Sequence, residues 1–181
     1  MKKARARRKF LAKRDKIIGA ARERAQAAIE ENLFSVGGFF DAEDYFIYLS
    51  FGSEVATNNI ISALLSRGKR IYVPKICEGE MLAVKISGGM KINSFGIAEP
   101  VDTVKAEKID VCVTPLAAAD KQLRRVGYGK GYYDKFFAVN DCVKIGVCFS
   151  AQVSQKEIET ESTDVPLDIL VTEKGVLKRE K

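Results

Sequence analysis

Histidine is absent from all 181 residues. This removes the commonest general base and any Ser–His or Cys–His nucleophile. Chemistry in this chain must rest on carboxylates, lysine, arginine, a bound metal or the substrate itself. Cysteine is sparse: Cys77, Cys112, Cys142 and Cys148 form no C-x-x-C pair. Without histidine or close cysteine pairs, a zinc site is not expected. Three of the four cysteines lie in apolar, strand-like runs, which points to free thiols in a reducing cytoplasm. Long apolar runs are also missing, so no bilayer-spanning helix is expected. The N-terminus is basic but no apolar stretch follows it, so a secretory signal is not expected either.

What is present is a chain of one-domain length, with 46% hydrophobic and 30% charged residues, the balance of a soluble globular protein. The net charge of +6 is unevenly placed. Residues 1–24 carry 11 Lys/Arg against 2 Asp/Glu, whereas residues 25–181 carry 19 against 22. A near-neutral domain therefore bears one basic N-terminal segment. That segment reads either as a solvated helix face or as a helix offering cations to phosphates or, less favoured, to nucleic acid.

Residues 3–31 lack proline and are rich in Ala, Arg, Lys and Glu, which predicts a helix with a break near Gly19. Strands are predicted at Tyr45–Phe51, Arg70–Ile76, Met81–Ile86, Ile109–Thr114, Val143–Ser150 and Asp168–Glu173. A hairpin-like turn is expected at Glu78-Gly79, and Gly88–Pro100 reads as loop. A helix is expected from an N-cap at Ser53 to an end at Gly68, and another over Tyr132–Val139. Strands alternating with helices predict an α/β fold: one three-layer, Rossmann-like domain over 1–181, a largely parallel sheet with helices on both faces and the basic helix (about 3–31) packed on it. Ligands then bind at the carboxyl ends of the strands. Ser50–Thr57, Pro115–Asp134 and Ser150–Gln152 fall there.

The densest signal is "RRVGYGKGYYDKFF", Arg124–Phe137. Gly127, Gly129 and Gly131 alternate, with Lys130 between two of them and Asp134 one turn into the next helix. It is neither G-x-x-x-x-G-K-[ST] nor G-x-G-x-x-G. Alternate glycines let backbone N–H groups turn inward around an anion at a helix N-terminus. Lys130 and Arg125 suit phosphate oxygens, and Asp134 suits Mg²⁺. A plain turn requiring positive φ is the competing reading. Of Tyr132 and Tyr133, one is expected in the core and the other against a flat ligand ring.

G-x-G-K-G-Y-Y-D after a strand resembles the signature of the 5-formyltetrahydrofolate cyclo-ligase (5,10-methenyltetrahydrofolate synthetase) family. Further motifs follow in order: Lys3 and Arg7 as K-x-x-x-R; Leu49, Ser50, Glu54 and Thr57 after the first strand; Phe95-Gly96-Ile97-x-Glu99-Pro100; then Gln152, Asp164 and Asp168. The resemblance implies a cytoplasmic, monomeric enzyme using ATP and Mg²⁺ on 5-formyltetrahydrofolate, without membrane or nucleic-acid partners. It implies ATP contacts from Lys3, Arg7, Arg125, Val126, Gly127, Tyr128, Gly129, Lys130, Gly131, Tyr132 and Tyr133. Folate contacts would come from Arg7, Leu49, Glu54 and Tyr132. Asp134 and Asp164 would organise the metal, with Lys130 and Arg125 as the catalytic cations. Substituting Lys130 or Asp134 is expected to lower turnover and leave the fold intact. The chain departs from the family pattern ahead of the loop, where "PLAAADKQLRRVG" has Leu116 for a glycine, Ala119 for an aromatic and Leu123 for the turn glycine.

Overall fold

A computed structural model describes residues 1–86, 90–92, 98–101 and 104–180. Within these, the helices are α1 (Lys3–Arg14), α2 (Gly19–Phe34), α3 (Asn58–Leu65) and α4 (Tyr132–Val139). The strands are β1 (Asp44–Ile47), β2 (Arg70–Cys77), β3 (Glu80–Lys85), β4 (Met90–Ile92), β5 (Ala98–Pro100), β6 (Val111–Thr114), β7 (Ala118–Asp120), β8 (Arg125–Val126), β9 (Val143–Val147), β10 (Val153–Ser154), β11 (Ile169–Thr172) and β12 (Gly175–Lys178).

The main sheet runs β12-β11-β9-β6-β1-β2-β3. Its five central strands are parallel, and β12 and β3 pair antiparallel on the two edges. Alternation along each strand divides the core into two faces. Tyr45, Ile47, Ile71, Val73, Val111, Val113, Ile145, Val147 and Val171 pack with Ile29 and Leu33 of α2 and Ile60 and Leu64 of α3. The intervening Phe46, Tyr72 and Cys112 pack with Phe136 and Phe137 of α4. These are the three layers, with a largely parallel sheet inside.

A smaller sheet, β10-β7-β8, follows β6. Ala6 and Phe10 of α1 pack on it against Ala118, Val126 and Ile158. Helix α1 has no side-chain N-cap, but Lys13 and Arg14 in its last turn complement the helix dipole. The break expected near Gly19 divides the basic segment into α1 and α2. Asp15–Ile18 separate them, and Gly19 opens α2 with φ +54, a backbone that favours glycine.

Several boundaries differ from the sequence-based reading. The first strand ends at Ile47, because Tyr48 and Thr57 then anchor a loop: the Tyr48 hydroxyl donates to the Val55 carbonyl at 2.7 Å, and the Thr57 hydroxyl to the Tyr48 carbonyl at 2.8 Å. The next helix starts at Asn58, with Thr57 and not Ser53 in the N-cap position. Ser53 instead accepts from Arg14 Nε at 2.9 Å and donates to Asp15. The Glu78-Gly79 turn does join β2 to β3, both residues at positive φ. Part of the stretch taken as loop forms the β4–β5 antiparallel pair, since pairing between neighbouring segments overrides weak local propensity. Phe95, Gly96 and Ile97 of the F-G-I-x-E-P motif lie outside the described residues.

The three family-atypical positions meet. Leu116, Ala119 and Leu123 share one buried cluster with Cys148, Leu167 and Leu170. Leu123 holds φ +61 in the β7–β8 turn, a conformation unfavourable for a leucine, but its side chain is buried. Asp120 braces that turn. Its Oδ1 accepts from the backbone of Gln122 and Arg124, each at 3.1 Å, and its Oδ2 from Ile158 N at 2.8 Å.

Candidate active site

Because β1, β6 and β9 are parallel, their carboxyl ends open on one edge, and the segments that follow them gather there. The segment after β6 passes through β7 and β8 into the glycine loop. Strand β8 pairs with β7 and so fixes Arg125 and Val126. The three glycines then serve different needs. Gly129 and Gly131 have φ +101 and +70, and Gly131 caps the start of α4. At Gly127 the limit is space: a Cβ would lie 2.7 Å from Arg125 Nη1. A Cβ on Gly129 would also come within 3.3 Å of Arg7 Nη2.

Helix α1 runs across this loop. Lys3, Arg7 and Arg14 are spaced so that they project from one side of the helix. Lys3 Nζ donates to both oxygens of Asp164, each at 2.9 Å, and pairs with Glu161 at 2.9 Å. Burial alone would lower the Lys3 ammonium, and the two carboxylates outweigh it, holding its pKa above the ordinary value. Arg7 Nε donates to the Gly127 carbonyl at 2.8 Å.

A cleft of about 1250 Å³ lies between α1, the glycine loop and residues 159–165. Lys3, Arg7 and residues 125–134 line it together with Asp164. It thus brings together all the residues expected at the nucleotide and metal. Lys130 is exposed and has no ion-pair partner among the described residues. Tyr132 faces the cleft, whereas Tyr133 stacks on Phe46 with ring centroids 6.1 Å apart. Burial raises the Tyr133 phenol well above its usual value.

Arg125 and Asp134 form an ion pair, Nη2 to Oδ1 at 3.0 Å. Arg125 is buried, with its guanidinium over the rings of Tyr133 and Phe137 at 5.4 and 6.0 Å. Its Nε has no hydrogen-bond partner among the described residues. Asp134 also accepts from Val165 N at 3.3 Å. No group of three or more acidic or cysteine side chains suited to a metal occurs among the described residues.

Leu49 and Glu54 stand outside that cleft. Leu49 is partly buried against the core, and Glu54 reaches back to the glycine loop. The Tyr128 hydroxyl donates to Glu54 Oε1 at 2.5 Å and accepts from Arg14 Nη1 at 2.6 Å. Phe51 N donates to Glu54 Oε2 at 2.9 Å. Burial first, and the Glu54 carboxylate second, hold the Tyr128 phenol above its ordinary pKa. Sequence reasoning did not single out Arg14 or this role of the Tyr128 side chain. The signal was there: Arg14 stands seven residues after Arg7, on the same helical face.

A profile of the 5-formyltetrahydrofolate cyclo-ligase family matches residues 1–173. The chain belongs to that family. It is 32% identical over 149 residues to a probable 5-formyltetrahydrofolate cyclo-ligase of Schizosaccharomyces pombe, covering 69% of this chain and 72% of the relative. It is 28% identical over 171 residues to the 5-formyltetrahydrofolate cyclo-ligase of Haemophilus influenzae, covering 87% and 91%. The solved structure of Aquifex aeolicus 5,10-methenyltetrahydrofolate synthetase superposes with a TM-score of 0.87 at 29% identity, covering 99% of this chain and 93% of that one. This cyclo-ligase family member is therefore an enzyme of the ligase class with a family-typical α/β fold.

Proposed function

We propose that the chain converts 5-formyltetrahydrofolate into 5,10-methenyltetrahydrofolate, using ATP and Mg²⁺ and releasing ADP and phosphate. The observation that carries this reading is the cleft itself: Lys3, Arg7, Arg125 and Lys130, a glycine loop, and the carboxylates of Asp134 and Asp164 around one space large enough for a nucleotide. The formyl oxygen attacks the γ-phosphorus, and the bond to ADP breaks. The formyl carbon, now carrying a phosphate, is attacked by the substrate's N10, which loses its proton. Phosphate leaves and the ring is closed. The sequence needs no histidine, because phosphoryl transfer to a substrate oxygen depends on positioning and charge stabilisation.

The chain's groups divide this work. Backbone N–H groups of 127–131 surround the phosphates, Lys130 supplies a mobile positive charge, and Arg7 and Lys3 complete the rim. Asp134 and Asp164 would hold Mg²⁺, which supplies charge neutralisation at the phosphates; two carboxylates with phosphate and water oxygens suit its octahedral demand. Within the chain the acids and cations pair with one another, Lys3 with Asp164 and Arg125 with Asp134. Tyr132 and Leu49 flank the folate, and Glu54 accepts from adjacent N–H donors of the pterin. The inward use of Lys3, Arg7 and Arg14 favours this reading of the basic segment over a nucleic-acid surface. Four unpaired cysteines fit a reducing, cytoplasmic setting.

The test is purified protein with MgATP and 5-formyltetrahydrofolate, following methenyl-product absorbance and ADP release. Stoichiometric formation of both is expected. Folded protein that makes neither would overturn the proposal.

A further inference from the structure

Two loops must cooperate at this site. The glycine loop follows β8, and the loop carrying Glu54 follows β1. The only side-chain bond between them among the described residues runs from the Tyr128 hydroxyl to Glu54 Oε1. A phenol at the tip of a glycine-rich loop is free to swing, and Tyr128 is exposed enough to do so. Arg14 stops it. Its guanidinium is buried, with Nη1 on the Tyr128 oxygen at 2.6 Å and Nε on Ser53 Oγ at 2.9 Å. One planar fork thus grips both loops at once. Arg22 secures the far side, donating to the carbonyls of Ser53 at 3.0 Å and Glu54 at 2.5 Å.

We propose that Arg14 is a positioning residue for the folate-side carboxylate, acting through the Tyr128 hydroxyl to orient Glu54. This rests on the reading of Glu54 as a pterin-binding residue. A carboxylate offers about four lone-pair sites. Tyr128 and Phe51 N use one on each oxygen, which fixes the plane of the group and leaves one site on each oxygen for paired donors of a ligand. The bond therefore aims Glu54 without occupying it. Because the same tyrosine belongs to the nucleotide loop, the folate side and the nucleotide side are held in register by Arg14.

The experiment uses Tyr128→Phe, Arg14→Ala, Arg14→Lys and the Tyr128→Phe/Arg14→Ala pair in the full chain. Steady-state kinetics are measured with each substrate varied, together with direct binding of 5-formyltetrahydrofolate in the absence of nucleotide. Tyr128→Phe, which keeps the ring and removes both the hydrogen bond to the Glu54 carboxylate and the one accepted from Arg14, is expected to weaken folate binding and raise its KM about tenfold. Because Tyr128 also belongs to the nucleotide loop, the KM for ATP is free to move with it, and the folate KM should change by the larger factor. Arg14→Ala should do the same, Arg14→Lys should not restore the wild-type KM because an ammonium cannot fork, and the pair should be no worse than the more affected single variant. Additive effects, a loss in kcat alone, or a folate KM that is unchanged or falls would overturn the proposal. A fall would mean that Tyr128 competes with the ligand. Wild-type protein that binds folate but does not turn it over would count against the proposed function and leave the binding comparison to decide this one; wild-type protein that binds no folate would overturn both.

Discussion

Asp134→Ala is a stability mutation as well as a site mutation. Sequence reading expects it to spare the fold. The geometry says otherwise, because Asp134 is the only anion among the described residues paired with the Arg125 guanidinium, at 3.0 Å, and the Arg125 side chain is only 3% exposed. Removing the carboxylate leaves a buried cation with two aromatic rings and an Nε already without a hydrogen-bond partner among the described residues. Breaking a fully buried pair by deleting one partner costs about 3–5 kcal/mol. Asp134 itself is 23% exposed, so water can enter beside it, and about 2 kcal/mol is the figure to expect. For a chain of this size that corresponds to a fall in Tm of about 4–8 °C. Thermal unfolding followed by circular dichroism measures it. Arg125→Met in the same background should recover most of the loss, since the uncompensated charge is gone. A Tm for Asp134→Ala within a degree of wild type would refute the reasoning and return Asp134 to a purely catalytic role.

Lys130→Ala removes an exposed charge with no ion-pair partner among the described residues, so Tm should be unchanged while ATP affinity falls about tenfold; isothermal titration with nucleotide checks it. Gly129→Ala forces φ +101 on a residue with a Cβ and presses it against Arg7, at a cost of about 1–3 kcal/mol or a displaced loop. Lower Tm or lost nucleotide binding is expected, and wild-type values of both would contradict the cradle. Asp110 is held down to about 2, first by the Lys108 hydrogen bond and then by the backbone N–H groups of Asp44 and Glu43. Its stabilisation is present above the ordinary value of 3.8 and is lost as pH falls towards 2. Asp110→Asn should therefore flatten that part of the acid limb in urea midpoints taken between pH 5 and pH 2.5, and an unchanged slope would exclude the effect.

The layers were legible because burial on both faces of a parallel strand leaves a local mark: continuous apolar runs such as "VCVT" and "ILVT", separated by helical segments. The glycine loop was legible for a related reason, as backbone conformations closed to other residues call for glycine, and Gly129 and Gly131 take them. Strand ends were less so. Tyr48–Phe51 has strand-like composition, yet the Tyr48 hydroxyl and Thr57 turn it into the loop that carries Glu54. The β7–β8 turn shows the same limit, with Leu123 at positive φ where local preference would place glycine, held by apolar neighbours distant in the chain.

By its own pattern, then, the chain determined its α/β class, the position of its glycine loop, the lack of a histidine base and the family it belongs to. All of these follow from short-range spacing or from residue types present or absent. What the tertiary structure decided is which charges meet. Lys3 finds Asp164 across 161 positions, Arg125 finds Asp134 from the far side of the glycine loop, and Arg14 reaches Tyr128 and Ser53 to join two loops. Ion pairs and forked hydrogen bonds depend on a few ångströms and on burial, and neither quantity is encoded in neighbouring residues.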